Sequence, residues 1–214
     1  MIEDQILKQA SQLIEAGDQS CLLVESFTFK NDVYRVGDLV RVSLKNTVAK
    51  HSNFIAQLIS GHLVKEFPIV GCSLPLVKIQ YYFDKHSLSD TYKLLKKQLS
   101  ENELFESDVQ VFIPVNFLNG KMRVASLQEY FNNPDELNLK FTQAYYDTSK
   151  DKITPPLSSR EKICYCQSIE NPDYNYIMCE FCKKWFHYHC VGISVYNTDL
   201  SLNFFCKSCQ QWFF

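Results

Sequence analysis

The sequence lacks the features that mark membrane, secreted and phosphate-gripping proteins. No apolar run among its 214 residues approaches the roughly 20 residues that a helix needs to cross a bilayer. The first residues, Met1 to Gln5, carry no secretory signal, so we expect an intracellular protein with reduced thiols. The formal net charge is only −2, whereas domains that grip phosphates are usually strongly basic. We therefore expect weak direct DNA binding at most.

Catalytic motifs are missing as well. The chain has no nucleophile elbow, no phosphate-binding loop and no metal site with an open ligand position. The sequence thus predicts a protein that is not an enzyme. Three lysines, Lys93, Lys96 and Lys97, lie opposite the apolar face of a predicted helix. We interpret them as solvent-exposed, with a DNA-touching patch as the alternative.

Hydrophobic and cysteine residues are plentiful. Hydrophobic residues make up 46% of the chain and aromatic residues 14%, enough to bury a sizeable core in two compact units. Two of the nine cysteines, Cys21 and Cys72, are scattered among apolar neighbours, and we expect them to be buried, reduced thiols. The other seven lie between Cys164 and Cys209.

These seven cysteines and one histidine follow the spacing of two interleaved zinc sites. Structural zinc takes four thiolate or imidazole ligands, and short Cys-x-x-Cys steps bring two sulfurs to one ion without strain. Eight ligands therefore predict two ions, and a cross-brace joins the first close pair to the third and the second to the fourth. Disulfides are the alternative, which the missing secretory signal disfavours. The first predicted site contains Cys164, Cys166, His187 and Cys190, and the second contains Cys179, Cys182, Cys206 and Cys209.

The position of the histidine distinguishes between zinc modules. RING fingers of ubiquitin ligases place a histidine fourth in the ligand order, whereas here it is fifth. The stretch CEFCKKWFHYHC from Cys179 to Cys190 and the end NFFCKSC resemble a plant homeodomain (PHD) finger. The Trp-Phe-His spacing makes His187 the ligand, so His189 is expected at the surface. The resemblance implies a two-zinc module at 162–211 that binds histone tails, and it disfavours a ubiquitin ligase.

In the part of the chain that precedes the cysteine-rich segment, the spacing of hydrophobic residues changes from a helical period to the alternation typical of strands. Residues 2–16 place apolar side chains at steps of three and four and stop at Gly17, which predicts an amphipathic helix. It either docks on the main domain or binds a partner. Short alternating runs then predict an antiparallel barrel or bent sheet with turns at Gly37-Asp38, Gly71, Asp108 and Asn119-Gly120. Strands are predicted at 21–29, 39–44, 54–63, 76–83, 109–114 and 121–126, and helices at 89–99 and 127–131.

Five stretches of this region, in order, resemble a bromo-adjacent homology (BAH) domain. The resemblance implies a mainly β chain: an N-terminal helix at 1–20, a BAH-type barrel or bent sheet at 21–146, a linker at 147–161 and the PHD finger. A BAH domain followed by a PHD finger is similar to short plant proteins that read methylated histone tails. The five stretches are YRVGDLV from Tyr34, FIAQLI from Phe54, VKIQYYF from Val77, ELFESD from Glu103, and Ile113-Pro114 through Gly120-Lys121 to SLQEY at 126–130.

The BAH resemblance implies an aromatic cage for methyl-lysine. A trimethylated ammonium has no N–H to donate, so it is recognised by shape and by the negative faces of aromatic rings. The matching positions are Phe54, Tyr81 and Phe83, and strand alternation points Tyr82 away from the last two. The alternative is that all three are core residues. The histidine that many such readers carry after the Ser-Asp step is Val109 here.

The PHD resemblance implies a second site. Trp185 matches the cage tryptophan of fingers that bind trimethylated lysine four of histone H3, and Tyr176, with Tyr174 nearby, matches an adjoining wall. The usual tyrosine four places after the second cysteine is Glu170. A carboxylate there opens the cage or pairs with a lysine that keeps N–H groups. Alternatively, Trp185 only packs against the zinc site.

Together these features predict a nuclear, non-enzymatic chromatin reader that recruits a partner complex to nucleosomes. Its BAH domain would bind a trimethyl-lysine, with lysine twenty-seven of histone H3 favoured, and its finger would bind the H3 N-terminus. The alternative is a structural subunit whose cages no longer bind histone marks. Because each module has its own source of stability, we expect zinc removal to unfold the chain after residue 162 and leave the β domain largely intact.

Overall fold

The structure is a computed structural model that describes residues 2–44, 52–67, 72–133, 136–194 and 203–211. It has the predicted mainly β architecture. No helix within these ranges is long and apolar enough to cross a membrane. The α-helices in the described chain are α1 (Ile2–Glu15), α2 (Leu127–Asn132) and α3 (Lys207–Gln210).

The N-terminal helix α1 forms where the apolar spacing predicted it. Gly17 ends it in the left-handed conformation, with φ of +69°, and its N–H donates to the Ile14 carbonyl at 3.1 Å. Ala10 is fully buried and packs in one cluster with Val64 and Phe67 of the sheet. The helix is therefore docked on the β domain, which was the first of the two interpretations.

Nine strands of the described chain form one sheet, in the order β11-β10-β7-β6-β5-β4-β8, with β1 beside β5 and β9 beside β10. Neighbours are antiparallel except for β10, which runs parallel to β7 and to β9. A separate hairpin pairs β2 with β3. The strands of this domain are β1 (Cys21–Val24), β2 (Ser26–Phe29), β3 (Asp32–Arg35), β4 (Leu39–Leu44), β5 (Ser52–Phe67), β6 (Cys72–Asp84), β7 (Glu103–Pro114), β8 (Leu118–Lys121), β9 (Val124–Ser126), β10 (Lys140–Asp147) and β11 (Lys152–Thr154).

Strands β4 to β6 enclose the main core because their alternate residues face inward. Val40, Ala56 and Ile79 are fully buried in the cluster that they form with residues of β7 and β8. Gly61 lies opposite Val24 where β1 pairs with β5, and a Cβ there would lie 2.7 Å from Val24 Cγ2. The predicted strand at 21–29 is split into two: β1 pairs with β5, and β2 pairs with β3.

Two of the predicted turns lie within strands instead. Asp108 lies inside β7, so the predicted turn there is wrong. Residues 107–109 form a bulge opposite Tyr81, and Ser107 Oγ donates to the Tyr81 carbonyl at 2.7 Å. Asn119-Gly120 lies within β8, where Gly120 has φ of +87°. The Gly37-Asp38 turn is confirmed, and Gly71 lies outside the described residues.

The helix predicted at 89–99 is replaced by two short 3-10 turns, at Asp90–Tyr92 and Leu95–Gln98. Hydroxyl groups compete with helical bonds here, since Ser89 and Thr91 both donate to the Asp151 carboxylate at 2.6 Å. The predicted apolar face is nevertheless correct, because Leu99 is buried and Tyr92 and Leu95 pack beside it. Of the lysine cluster, Lys96 donates to the Leu88 carbonyl, whereas Lys93 and Lys97 are exposed.

The segment predicted as a linker at 147–161 is built into the β domain. Strand β11 pairs with β10, and Ile153 and Leu157 are both 2% exposed. The Arg160 guanidinium forms a double hydrogen bond with the Glu103 carboxylate, whose side chain is 2% exposed. Neither β10 nor β11 was predicted, and the domain boundaries remain a prediction.

The C-terminal segment is a small unit with four short strands and α3. Its strands form two hairpins, β12 with β13 and β14 with β15, and Phe186 of β15 is buried among the cysteines. Ile169 instead faces the β domain, where it joins a cluster that we call the shared core. The new strands are β12 (Lys162–Ile163), β13 (Ser168–Ile169), β14 (Tyr176–Met178) and β15 (Trp185–His187), and the shared core comprises Leu88, Leu99, Phe105, Ala144, Tyr146, Ile153, Leu157 and Ile169.

Candidate functional site

The structure brings the eight predicted ligands together as two groups of four, paired as the cross-brace requires. Within each group, all ligand atoms lie within 4.8 Å of one another. A tetrahedral zinc ion with Zn–S bonds of about 2.3 Å places its sulfurs about 3.8 Å apart. Cys182 Sγ and Cys206 Sγ are 3.8 Å apart in the second group. The donor sets therefore fit two zinc ions in size and in chemistry.

His187 presents its Nδ1 atom to the first group. Nδ1 lies 3.4 Å from Cys166 Sγ and 3.9 Å from Cys190 Sγ. The other ring nitrogen, Nε2, is buried without a hydrogen-bond partner among the described residues, and the Tyr174 ring stands perpendicular to the imidazole at 5.4 Å. His189 is exposed and belongs to neither group, as its spacing predicted.

The electrostatics of the second group suit a cation. Burial opposes ionisation of the Cys179 thiol, but hydrogen bonds from the backbone N–H groups of Cys206, Cys182 and Phe181 outweigh it and lower its pKa to about 6. Burial and the neighbouring cysteines raise the pKa of Cys209 to about 12. Adjacent thiolates repel one another, and a divalent cation offsets that repulsion.

The β domain places the three predicted cage aromatics in one row. The Phe54 and Tyr81 ring centroids are 4.6 Å apart, and those of Tyr81 and Phe83 are 4.7 Å apart. All three side chains are half-buried. The Phe83 ring contacts Tyr146 of the shared core edge to face, with the two ring centroids 5.2 Å apart. Phe54 and Tyr81 line a cleft of about 240 Å³, whereas Phe83 has the position of a supporting residue.

Charged residues that the sequence reasoning did not identify line the same cleft. Glu101 and Asp84 bring carboxylates, and Arg41 and Lys140 bring cationic groups. Hydrogen bonds from Lys85 and then His86 lower the pKa of Glu101, while burial lowers the pKa of Lys140. These residues come from separate strands and loops, so no local motif could have identified them. We name this space, with Phe54 and Tyr81, the β-domain cleft.

The finger presents Trp185 on strand β15, and the ring is 50% exposed. It borders a groove that also contains Glu161 and Tyr165, which the sequence reasoning did not identify. Opposite Trp185 across the hairpin lies Met178. About half of Trp185 is therefore accessible to a ligand, and its role in binding stays a prediction.

Tyr176 is turned toward the first metal group. Its ring lies 4.8 Å from the His187 ring, and its hydroxyl donates to the Asn171 carbonyl at 2.8 Å. Tyr174 is exposed nearby. Glu170 is exposed as a residue, but partial desolvation of its carboxyl group, together with the Glu161 charge, raises its pKa. Of the four residues predicted for the finger, only Trp185 lines the groove, whereas Glu170, Tyr174 and Tyr176 lie outside it. We use the name finger cleft for the candidate surface made up of Glu161, Glu170, Tyr174, Tyr176 and Trp185.

Comparisons with known proteins agree with this division. A family model described as PHD-finger matches residues 164–209. Chromatin remodeling protein SHL of Arabidopsis thaliana is 29% identical over 109 residues, which are 50% of this chain and 47% of SHL. Chromatin remodeling protein EBS of the same plant is 28% identical over 112 residues, 51% of this chain and 46% of EBS. The chain therefore spans about half the length of these two relatives.

Among solved structures, the yeast Rsc2 BAH domain aligns with a TM-score of 0.45 and 18% identity, covering 61% of this chain and 53% of that one. The described chain combines a mainly β domain that carries the BAH-like stretches with a cross-braced finger. The chain is thus similar to the plant chromatin remodeling proteins over about half its length, and its C-terminal segment matches the PHD-finger model and carries two clusters suited to zinc.

Proposed function

We propose that this protein is a nuclear, non-enzymatic reader of methylated histone H3 tails that brings a partner complex to nucleosomes. The observation that carries the proposal is a pair of separate clefts, one on each domain, that combine accessible aromatic rings with carboxylates. Ring faces attract alkylated ammonium groups, and carboxylates attract the basic residues of a histone tail. The names of the two plant relatives support a chromatin role in the nucleus.

In the β-domain cleft, Phe54 and Tyr81 would hold a trimethyl-lysine, with Phe83 supporting the Tyr81 ring from behind. Lysine twenty-seven of histone H3 is the first choice because of the BAH resemblance. Adjacent rings 4.6 Å apart already touch, so the ammonium would lie over their common open face rather than between them. Asp84 and Glu101 add the negative charge that a cationic ligand requires.

A substitution of Tyr81 tests this site. Tyr81→Ala should weaken binding of a trimethylated H3 peptide by at least roughly 2- to 30-fold, because the loss of a ring removes about 0.5 to 2 kcal/mol per cation contact together with the cleft wall. Tyr145→Ala is the matched control, since Tyr145 is a half-buried tyrosine of the same sheet outside the cleft. Calorimetric titration measures both. Equal affinity of parent and Tyr81→Ala would exclude the site.

In the finger cleft, Trp185 and Tyr176 would contact a lysine of the H3 N-terminus, and Glu170 stands in the place of a third ring. A carboxylate there favours a lysine that still carries N–H groups, because it can accept a charge-assisted hydrogen bond. Glu170→Tyr should therefore shift the preference toward the trimethylated peptide. Titrations with unmethylated, monomethylated and trimethylated peptides compare the ratios of affinity, and an unchanged ratio would contradict this role.

A second candidate function is a scaffold subunit that reads no mark. The close contacts of Tyr81 with Phe54 and with Phe83 favour the scaffold function, because aromatic rings that pack against one another are typical of a protein core. A scaffold would bind methylated and unmethylated peptides equally or not at all. An array of modified histone peptides probed with the intact chain separates the two functions.

A further inference from the structure

A network of hydrogen bonds, which we call the joint, attaches the finger to the β domain. Ile169 N–H donates to Gln98 Oε1 at 3.2 Å, and Asn171 Nδ2 donates to the Gln98 carbonyl at 3.0 Å. Asp173 accepts from Ser100 Oγ at 2.6 Å and from the Glu101 N–H at 2.7 Å. These bonds connect residues about 70 positions apart in sequence, and they hold residues 98–101 against residues 169–173.

On the finger side, the joint continues directly into the finger cleft. Asn171 is 3% exposed, and its N–H donates to the Tyr176 hydroxyl at 3.0 Å while its carbonyl accepts from that hydroxyl at 2.8 Å. Its side-chain oxygen accepts from Asp173 N–H at 2.9 Å. Asn171 therefore connects Tyr176, which it binds through its backbone, to the Gln98 carbonyl, which it binds through its side chain.

On the other side, the joint continues into the β-domain cleft. Glu101, whose N–H binds Asp173, is one of the cleft carboxylates, and its side chain pairs with Lys85 at 2.8 Å. A second path is apolar: Phe83, which contacts Tyr81, packs against the shared core that includes Ile169. Both clefts are therefore in contact with the same few residues.

We propose that Asn171 and Asp173 are positioning residues that couple the two clefts, so that a peptide bound in one changes the affinity of the other. The mechanism is ordering of the joint: a peptide that holds Tyr176 or Glu101 in place reduces the conformational entropy that the second peptide must remove. Such coupling is reciprocal and typically amounts to roughly 5- to 150-fold in affinity. We expect the low end, roughly five- to ten-fold, because the joint is already ordered by its own bonds. The inference rests on the proposed function only in that the clefts bind H3 peptides.

The test uses the intact, zinc-loaded chain. The affinity for an unmethylated H3 N-terminal peptide is measured with and without a saturating peptide trimethylated at lysine twenty-seven of histone H3. The parent should show tighter binding in the presence of the second peptide, and Asn171→Ala and Asp173→Ala should reduce the ratio toward one. Asn175→Ala, an exposed asparagine of the same loop, is the matched control and should keep the parent's ratio. A merely structural role would lower both affinities and leave their ratio unchanged.

Asp173→Ala keeps the proposal testable if Asn171→Ala loses zinc, because it removes the bonds to Ser100 Oγ and the Glu101 N–H and leaves the bonds between Asn171 and Tyr176 in place. A parent ratio of one, or a ratio that Asp173→Ala does not change, overturns the coupling.

If the parent binds neither peptide, the proposed function fails and hydrogen exchange decides the coupling. Asp173→Ala should then speed exchange at residues 98–103 of the β domain as well as at residues 171–178 of the finger, whereas an effect confined to residues 171–178 overturns it.

Discussion

Ile169 offers a sharp test of the shared core, because it lies in the finger sequence while its side chain is buried in the β domain. It is 2% exposed and clusters with Leu99, Phe105 and Leu157. Ile169→Ala removes three carbon atoms worth roughly 0.8 kcal/mol each, and a residual cavity adds to that loss. We expect the free energy of unfolding to fall by about 3 kcal/mol. For a chain of this size, that corresponds to a decrease in Tm of roughly 6 to 12 °C.

The matched control is Ile177→Ala. Ile177 is also an isoleucine of the finger, but it packs against the buried cysteines and Phe186. Urea unfolding gives the free energies, and hydrogen exchange followed by mass spectrometry locates the loss. Ile169→Ala should speed exchange at residues 99–107 of the β domain and keep two zinc ions per chain. Ile177→Ala should instead speed exchange within 164–209 and weaken zinc retention. A loss below about 1 kcal/mol for Ile169→Ala, or one confined to the finger, would refute a shared core.

Two further outcomes follow from the finger. The purified chain should contain two zinc ions by mass spectrometry, and chelation should accelerate exchange around Leu99 and Phe105 as well as in the finger, since Ile169 is part of their cluster. A stoichiometry of one, or a β domain unaffected by chelation, would contradict this. Burial and Glu161 raise the pKa of Glu170 above 4.5, so the folded state favours its protonated form. The free energy of unfolding should therefore decrease as pH rises from about 4.5 through the raised pKa. Glu170→Gln should flatten this part of the profile in urea unfolding at stepped pH, and identical slopes would argue against it.

The expected response of the β domain to chelation differs from the sequence-based expectation that this domain is independent of zinc. That expectation treated residues 147–161 as a linker because they are polar and contain Thr154-Pro155-Pro156. In the folded chain, Ile153 and Leu157 are core residues, and Arg160 pairs with Glu103 inside the protein. Breaking such a buried pair by removal of one partner is strongly destabilising, so the segment belongs to the β domain energetically.

The metal centres could be predicted from the sequence because ligand chemistry is local. The Cys-x-x-Cys steps at Cys179 and Cys206 determine which sulfurs share a turn, and the position of His187 determines the type of finger. The end of α1 at Gly17 could likewise be predicted from the local sequence. The same is true of α2, whose first turn is capped when Ser126 Oγ accepts from the Glu129 N–H at 3.2 Å.

Only the tertiary structure decided how these pieces combine. Strand β10 pairs in parallel with β7 and β9, and parallel pairing joins segments whose partners are distant in sequence and leave no turn signal between them. Glu101 lines the β-domain cleft and pairs with Lys85, which follows β6, and Asn171 contacts Gln98 across 73 residues of sequence separation. Residue spacing therefore determined the zinc ligands and the order of the two domains. The carboxylates of the cleft, the shared core and the joint depend on contacts between segments that no local pattern encodes.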